Sequence, residues 1–518
     1  MKNSVWKVIA FVAVALLPVL LLRDFTPSHE LRYLAIADDA LEQGNCFTFH
    51  NNGEPYADKP PLFFWFIMLG KTIFGEHKMW FLSLFSLIPA FITILVMDKW
   101  CSRVMDGEQR RVAALMLASC GLFAGLAAFL RMDMLMCMFI ILSLYTFWQM
   151  YSREVTLWNR ILFPTYIFLA IFSKGPVGLL MPLVATVSFL ILERRAKEIF
   201  KYWGWFTWGI LALCCALWFF NVWLEGGKEY LDNLLFHQTV DRAVNAFHHK
   251  EPFWYYLVSI WWSMAPWSLL AIWVIATALR RKVSFSSLER FFFVAAVSTF
   301  IMLSLSSSKV AVYLMPVFPF VIYLGVLLLP LCSSTWNMVA LVVPAFLCMS
   351  GGIAVLGIGL ATDMVRLLRN PFCLAAACVL FVGGGAALWK LWKGCTVYIS
   401  IKTLAASLFA VLFIGGMALP EINSSIGYKE LCRIAHEKAQ ITSGKKIYTW
   451  NVRRAENMRV HLGYDIEKVT KEDILGGRCT DGVIILKVKK LNGNEDMEKF
   501  LQGKESLISG RHIVVLPE

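Results

Sequence analysis

Apolar runs long enough to cross a bilayer recur along this chain, and they decide its class before any motif is read. A helix needs about 17–25 apolar residues to cross ~30 Å of hydrocarbon. Such runs lie at about 5–22, 79–98, 112–130, 134–150, 160–173, 176–192, 204–224, 253–279, 290–306, 310–330, 336–361, 372–390 and 398–419. They predict an all-α polytopic membrane bundle of about 13 transmembrane helices. Composition agrees: 58% of the 518 residues are hydrophobic and 16% charged, with a mean hydropathy of +0.61. A soluble domain that apolar would expose adhesive surface.

The net charge of +13 does not point to nucleic acid. Lys and Arg collect in short loops, where they set topology. With a cytoplasmic N-terminus, Arg110-Arg111, Arg153, Arg194-Arg195, Arg280-Arg281-Lys282 and Lys390-Lys393 all fall inside, while Arg366 and Arg369 run against the pattern. No small-x-small cleavage site precedes Arg23-Asp24, so the first run reads as a retained helix. The 13 cysteines form no CxxC. Cys432 and Cys479 are the pair that an oxidising compartment would allow to join.

Two segments differ from the spans. Residues 62–74 (LFFWFIMLGKTIF) are apolar but short, and Lys71 with Gly75-Glu76-His77 predicts an interfacial helix. After Pro420 the composition turns charged. Alternating stretches at 445–450, 482–488 and 512–516, with helical stretches at 428–440 and 494–502, predict a small soluble α/β domain over 421–518, outside the cytoplasm. The division is therefore a transmembrane unit over 1–420, with a long outer loop at 23–78, followed by that domain.

The same topology sorts the polar residues. The outer loops are 23–78, 131–133, 173–175, 225–252, 307–309 and 362–371. They carry His29-Glu30, Asp58-Lys59, Arg131-Met132-Asp133, Lys174, His237, Asp241-Arg242, His248-His249 and Lys309, with Tyr313 just beyond. Arg and Lys hold phosphate, aromatic belts suit a lipid-tailed substrate with a polar head, and a carboxylate can activate an acceptor hydroxyl. Each residue also has a plainer reading, as a helix cap or a topology charge. Together they suggest chemistry on a lipid-linked phosphate at the outer interface. There is no GxxxxGK[ST] loop for ATP. A transporter would carry its charges through the spans, which are nearly free of them. A non-catalytic assembly subunit is the third reading.

An acidic residue before Arg32-Tyr33, then Asp58-Lys59-Pro60-Pro61-Leu62, RMDM at 131–134, SKGPVG at 173–178, HQTVDR at 237–242, the PFWYY run at 252–256 and SK...YLMP at 308–316 stand in one order. This set resembles the GT-C fold glycosyltransferases that use polyprenyl-phosphate sugars. The nearest in look are the lipid A 4-amino-4-deoxy-L-arabinose transferases, and next the protein O-mannosyltransferases. The resemblance implies transfer of a sugar from undecaprenyl phosphate to lipid A, or else to protein. It implies a multi-pass monomer of the bacterial inner membrane, with its site on the periplasmic side. It also implies roles: Asp58 and His237 as ligands of a divalent metal such as zinc, with no nucleotide cofactor, and Lys59, Arg242 and Tyr313 as holders of the donor phosphate, assisted by Lys174 and Lys309. The family begins its first loop with two acids in a row, whereas this chain has His29 and then Glu30. Glu30 with Asp133, His29 as an imidazole base, or Asp133 alone are the three readings of the catalytic group, and the first is favoured.

Overall fold

The computed structural model describes residues 4–153, 155–235, 251–331, 334–361, 369–491 and 493–516. Among them, nine helices are long and apolar enough to cross a membrane, or up to eleven if each of two bent pairs is one span. Helices also occupy the two remaining expected places. Val177–Leu192 has only 16 residues, and Leu157–Lys174 carries Arg160 and Lys174. The bundle is held by aromatic and aliphatic packing, with Phe147, Phe163, Phe189 and Phe291 fully buried.

Two expected spans are not continuous. The run 112–130 breaks into Gly107–Ala118 and Gly121–Ala128, bent by 68°, and 253–279 into Tyr255–Ser263 and Ser268–Arg280, bent by 119°. Interrupted helices survive in a membrane only where neighbours satisfy the freed backbone. Here the two breaks satisfy each other. Gly121 N–H donates to Ala265 O at 2.8 Å, and Trp267 Nε1 donates to Ser119 Oγ at 2.9 Å. Pro266 has no N–H to leave unpaired.

The long first loop begins with helix Glu30–Gln43, which closes on Gly44 at φ 72°. A short antiparallel hairpin follows, β1 (His50–Asn51) with β2 (Glu54–Pro55). Pro60-Pro61 then leads into helix Leu62–Phe74, 13 residues long. That helix buries Phe63, Phe64 and Ile67 and exposes Leu69 and Ile73, as expected of a helix lying at an interface.

The C-terminal sheet contains β3 (Lys446–Trp450), β4 (Glu467–Lys468), β5 (Gly482–Lys487), β6 (Ser506–Ser509) and β7 (His512–Val515) in the order β4-β3-β5-β7-β6. The pairs of β3 with β4 and β5 are parallel, and those of β7 are antiparallel. Strand alternation gives the sheet two faces. On one, Ile447, Val483, Ile485 and Val514 share a core with Leu431 and Ala435 of helix Lys429–Ala439, and also with Leu31 and Leu34 of helix Glu30–Gln43. On the other, Tyr448, Ile484 and Leu486 pack with Ile474 and Met497. The domain is thus seated on the long first loop through a common core. Cys432 and Cys479 are both buried and unbonded, one in each core, so they do not form the pair that spacing allowed.

Candidate active site

Asp133 opens helix Asp133–Ser152 and is 1% exposed. Its Oδ2 accepts from Arg131 Nε at 3.0 Å, and its Oδ1 is ion-paired with Lys174 Nζ. Lys174 ends helix Leu157–Lys174, where the turn passes through Gly175 at φ 105°. The next glycine lets the chain double back, because a Cβ on Gly178 would lie 2.4 Å from the backbone of Ala170. The Lys174 ammonium sits 4.3 Å from the centre of the Tyr313 ring. Asp133, Lys174, Tyr313 and Arg131 therefore form one cluster, assembled from three separate loops. A buried carboxylate between two cations is held ionised and fixed in position.

Glu30 is placed differently. Its carboxylate accepts two hydrogen bonds from Arg23, at 2.6 and 2.7 Å. It accepts three more from Thr26 N, Thr26 Oγ1 and Leu130 N, at 2.8, 2.9 and 2.9 Å. Arg23 also lies 4.1 Å from the Phe129 ring. Both carboxylate oxygens are thus occupied, and the group fastens the first loop to the strand of chain that leads into Asp133. His29, one residue earlier, is exposed and makes no capping hydrogen bond. Partial burial, and after it the charges of Arg131 and Arg32, hold its imidazole below the ordinary value; Glu30 opposes the shift and Arg453 adds to it. The lowered value favours the neutral imidazole, which can accept a proton.

The Asp58-Lys59 corner is close-knit. Asp58 Oδ2 lies 3.4 Å from Lys59 Nζ and accepts from Tyr56 Oη at 3.1 Å. Ala57 packs with Phe172 and Trp218, two residues before Lys174 on one side and inside helix Trp205–Asp232 on the other. Lys309 is 5% exposed. Its ammonium donates to Ser306 O at 2.5 Å and Glu251 O at 3.0 Å, so it braces its own loop. His237 and Arg242 lie outside the described residues. Among the described residues, no three His, Cys, Asp or Glu side chains converge as metal ligands. Of the expected metal pair, Asp58 is the described member.

Two residues that sequence reading passed over hold this corner. Glu225 accepts from Cys46 N at 2.7 Å, Phe47 N at 2.9 Å and Thr48 N at 3.3 Å. Tyr230 Oη accepts from Phe49 N at 3.0 Å and donates to Tyr56 O at 2.9 Å. The helix kinks between them at Gly227, φ 70°. A carboxylate in a nest of consecutive backbone N–H groups has no sequence signature. A lone carboxylate directly after an apolar run is the one signal that would have singled out Glu225.

Residues 58–221, from Asp58 through Asp133 and Lys174, match the family described as dolichyl-phosphate-mannose-protein mannosyltransferase. An uncharacterised protein of Aquifex aeolicus is 28% identical over 59% of this chain and 61% of its own length. The undecaprenyl phosphate-alpha-4-amino-4-deoxy-L-arabinose arabinosyl transferase 1 of Pseudomonas fluorescens is 26% identical over 60% of this chain and 54% of its own. The chain thus spans little more than half the length of these relatives. The crystal structure of ArnT from Cupriavidus metallidurans bound to undecaprenyl phosphate superposes with a TM-score of 0.75 at 18% identity, covering 99% of this chain and 98% of that one. This chain has the GT-C fold. The agreement reaches from the first helix through the C-terminal sheet, and the chain resembles polyprenyl-phosphate-sugar glycosyltransferases.

Proposed function

We propose that this chain is a membrane glycosyltransferase that moves a sugar, of the 4-amino-4-deoxy-L-arabinose type, from undecaprenyl phosphate to lipid A on the periplasmic face of the bacterial inner membrane. The observation that carries the proposal is the fixed cluster of Asp133, Lys174, Tyr313 and Arg131, in a fold shared end to end with an undecaprenyl phosphate-binding protein. The donor enters from the outer leaflet. Its phosphate meets Lys59, Lys174 and Tyr313, with Arg242 as a further phosphate holder. The acceptor oxygen attacks the anomeric carbon as the bond to the phosphate oxygen breaks, so the configuration inverts. Cations at the phosphate offset the charge that develops on the leaving group. His29 takes the acceptor proton, Asp133 holds the cations in place, and Glu30 keeps the loop in register.

The match to the dolichyl-phosphate-mannose-protein mannosyltransferase family favours a second reading, transfer to protein hydroxyls. Lipid A mass spectrometry and glycoprotein profiling of a deletion strain separate the two. Loss of a sugar from lipid A with an unchanged glycoprotein profile is expected. The reverse result overturns the lipid A assignment.

A further inference from the structure

The C-terminal domain carries an open crevice of about 450 Å³ that the chemistry above does not use. It is lined by Thr449–Val452 on one side and Lys468–Glu472 on the other. Its position follows from the sheet topology. The chain leaves β3 toward β4 through Met458 and helix Arg459–Leu462, on the face with Ile447 and Val483. It leaves β4 through helix Lys471–Leu475, whose Ile474 packs on the opposite face, and crosses past β3 to β5. The two connections diverge to opposite faces at the carboxyl ends of adjacent parallel strands, which is where open α/β sheets bind small ligands.

The lining has a definite chemistry. Trp450 offers a half-buried indole. Glu472 is exposed at the rim. Lys468 and Lys471 are paired with Glu456 and Asp496, each at 2.7 Å, and Glu472 stands beside them. The crevice therefore has no surplus of positive charge. An aromatic face with mixed donors and acceptors suits the apolar face and hydroxyls of a sugar ring, and the volume lies in the ~300–1,000 Å³ range of small-ligand pockets.

The crevice also leads toward the active site. Val452 joins the core shared with the first loop. The next residue, Arg453, is held through its carbonyl by Tyr428 Oη at 2.6 Å, and its charge acts on His29. Asn457 Nδ2 donates to Pro27 O at 2.8 Å. One short stretch thus runs from the crevice to the His29 loop.

We propose that this crevice is a saccharide site, which seats sugar of the acceptor while the acceptor's reacting oxygen reaches His29; the acceptor role rests on the glycosyl-transfer reading. The test uses the full-length protein in detergent and a β-1,6-linked N-acetylglucosamine disaccharide as the probe. Saturation-transfer NMR should show the disaccharide bound to the wild type. The signal should fall at least fivefold in Trp450→Ala and in Glu472→Ala, with thermal unfolding of Glu472→Ala unchanged. In transfer assays both variants should raise the acceptor KM about tenfold and leave the donor KM unchanged. No saccharide signal from the wild type, or signals that survive in both variants, overturns the site. Binding that depends on Trp450 in a protein that transfers no sugar upholds the site and removes the glycosyl-transfer reading.

Discussion

Asp133 and Glu30 are both buried carboxylates at helix N-termini, yet their surroundings assign them different work. Glu30 receives five hydrogen bonds, so Glu30→Gln leaves the Arg23 guanidinium buried and uncompensated. That change should cost about 3–5 kcal/mol of stability, read as a lower thermal midpoint, while the fraction that stays folded still turns over. A dead but fully stable variant would return the base role to Glu30. His29 makes the complementary prediction. Its pKa lies below the ~6.5 of a free imidazole, and the base is the neutral form. The kcat/KM should therefore be flat at neutral pH and fall only as the pH drops through that lowered value. His29→Gln should remove the acid limb along with most of the rate. Asp133 and Lys174 were legible as isolated charges between apolar runs, while Tyr313, inside the run 310–330, entered through the ordered motif set. The partners of Glu30 were not, since a guanidinium seven residues away and a backbone N–H one hundred residues away leave no pattern in the sequence.

At the scale of elements, helix Trp205–Asp232 is a strap across the first loop. Glu225 and Tyr230 grip residues 46–49 and Tyr56, which fixes the approach to Asp58-Lys59. Glu225→Gln turns one of the accepting oxygens into a donor facing three N–H groups. We expect kcat/KM to fall about tenfold, ~1.4 kcal/mol, through the donor KM. An unchanged donor KM would confine Glu225 to stability. Helix Leu62–Phe74 and the strands β3, β5 and β7 were readable to within one or two residues, because period-2 alternation and a Pro-Pro start are local signals, whereas the short β4 and β6 were not read. The two bends were not. Apolar residues continue through both, and what allows each break is a hydrogen bond to the other, from Gly121 to Ala265.

Across the whole molecule, the C-terminal domain is part of the scaffold that presents the site. Asp24 ties the end of the first helix to it, with Asp24 N–H donating to Asn423 Oδ1 at 2.9 Å and Lys429 N–H donating to Asp24 Oδ2 at 3.0 Å. A Cβ on Gly427 would stand 2.0 Å from that Oδ2, so Gly427→Ala must displace Asp24. A loss of about 1–3 kcal/mol is expected, seen as a lower thermal midpoint and faster hydrogen exchange in residues 23–30. Unaltered exchange there would mean that the domain and the loop are not mechanically joined. Sequence composition located the domain but could not show its seat, because the shared core is made from Leu31, Leu34, Leu431 and Ile447, residues that look alike in any amphipathic segment.

The central claim is that cations from separate outer loops receive a polyprenyl phosphate beside Asp133. The direct measurement is sugar transfer from a defined undecaprenyl-phosphate donor to lipid A by purified Lys59→Ala and Asp133→Asn proteins, each shown to be folded. We predict that both lose at least ~100-fold in rate, the scale of removing a preorganised charge from a reaction site. Wild-type rates in both would contradict the account.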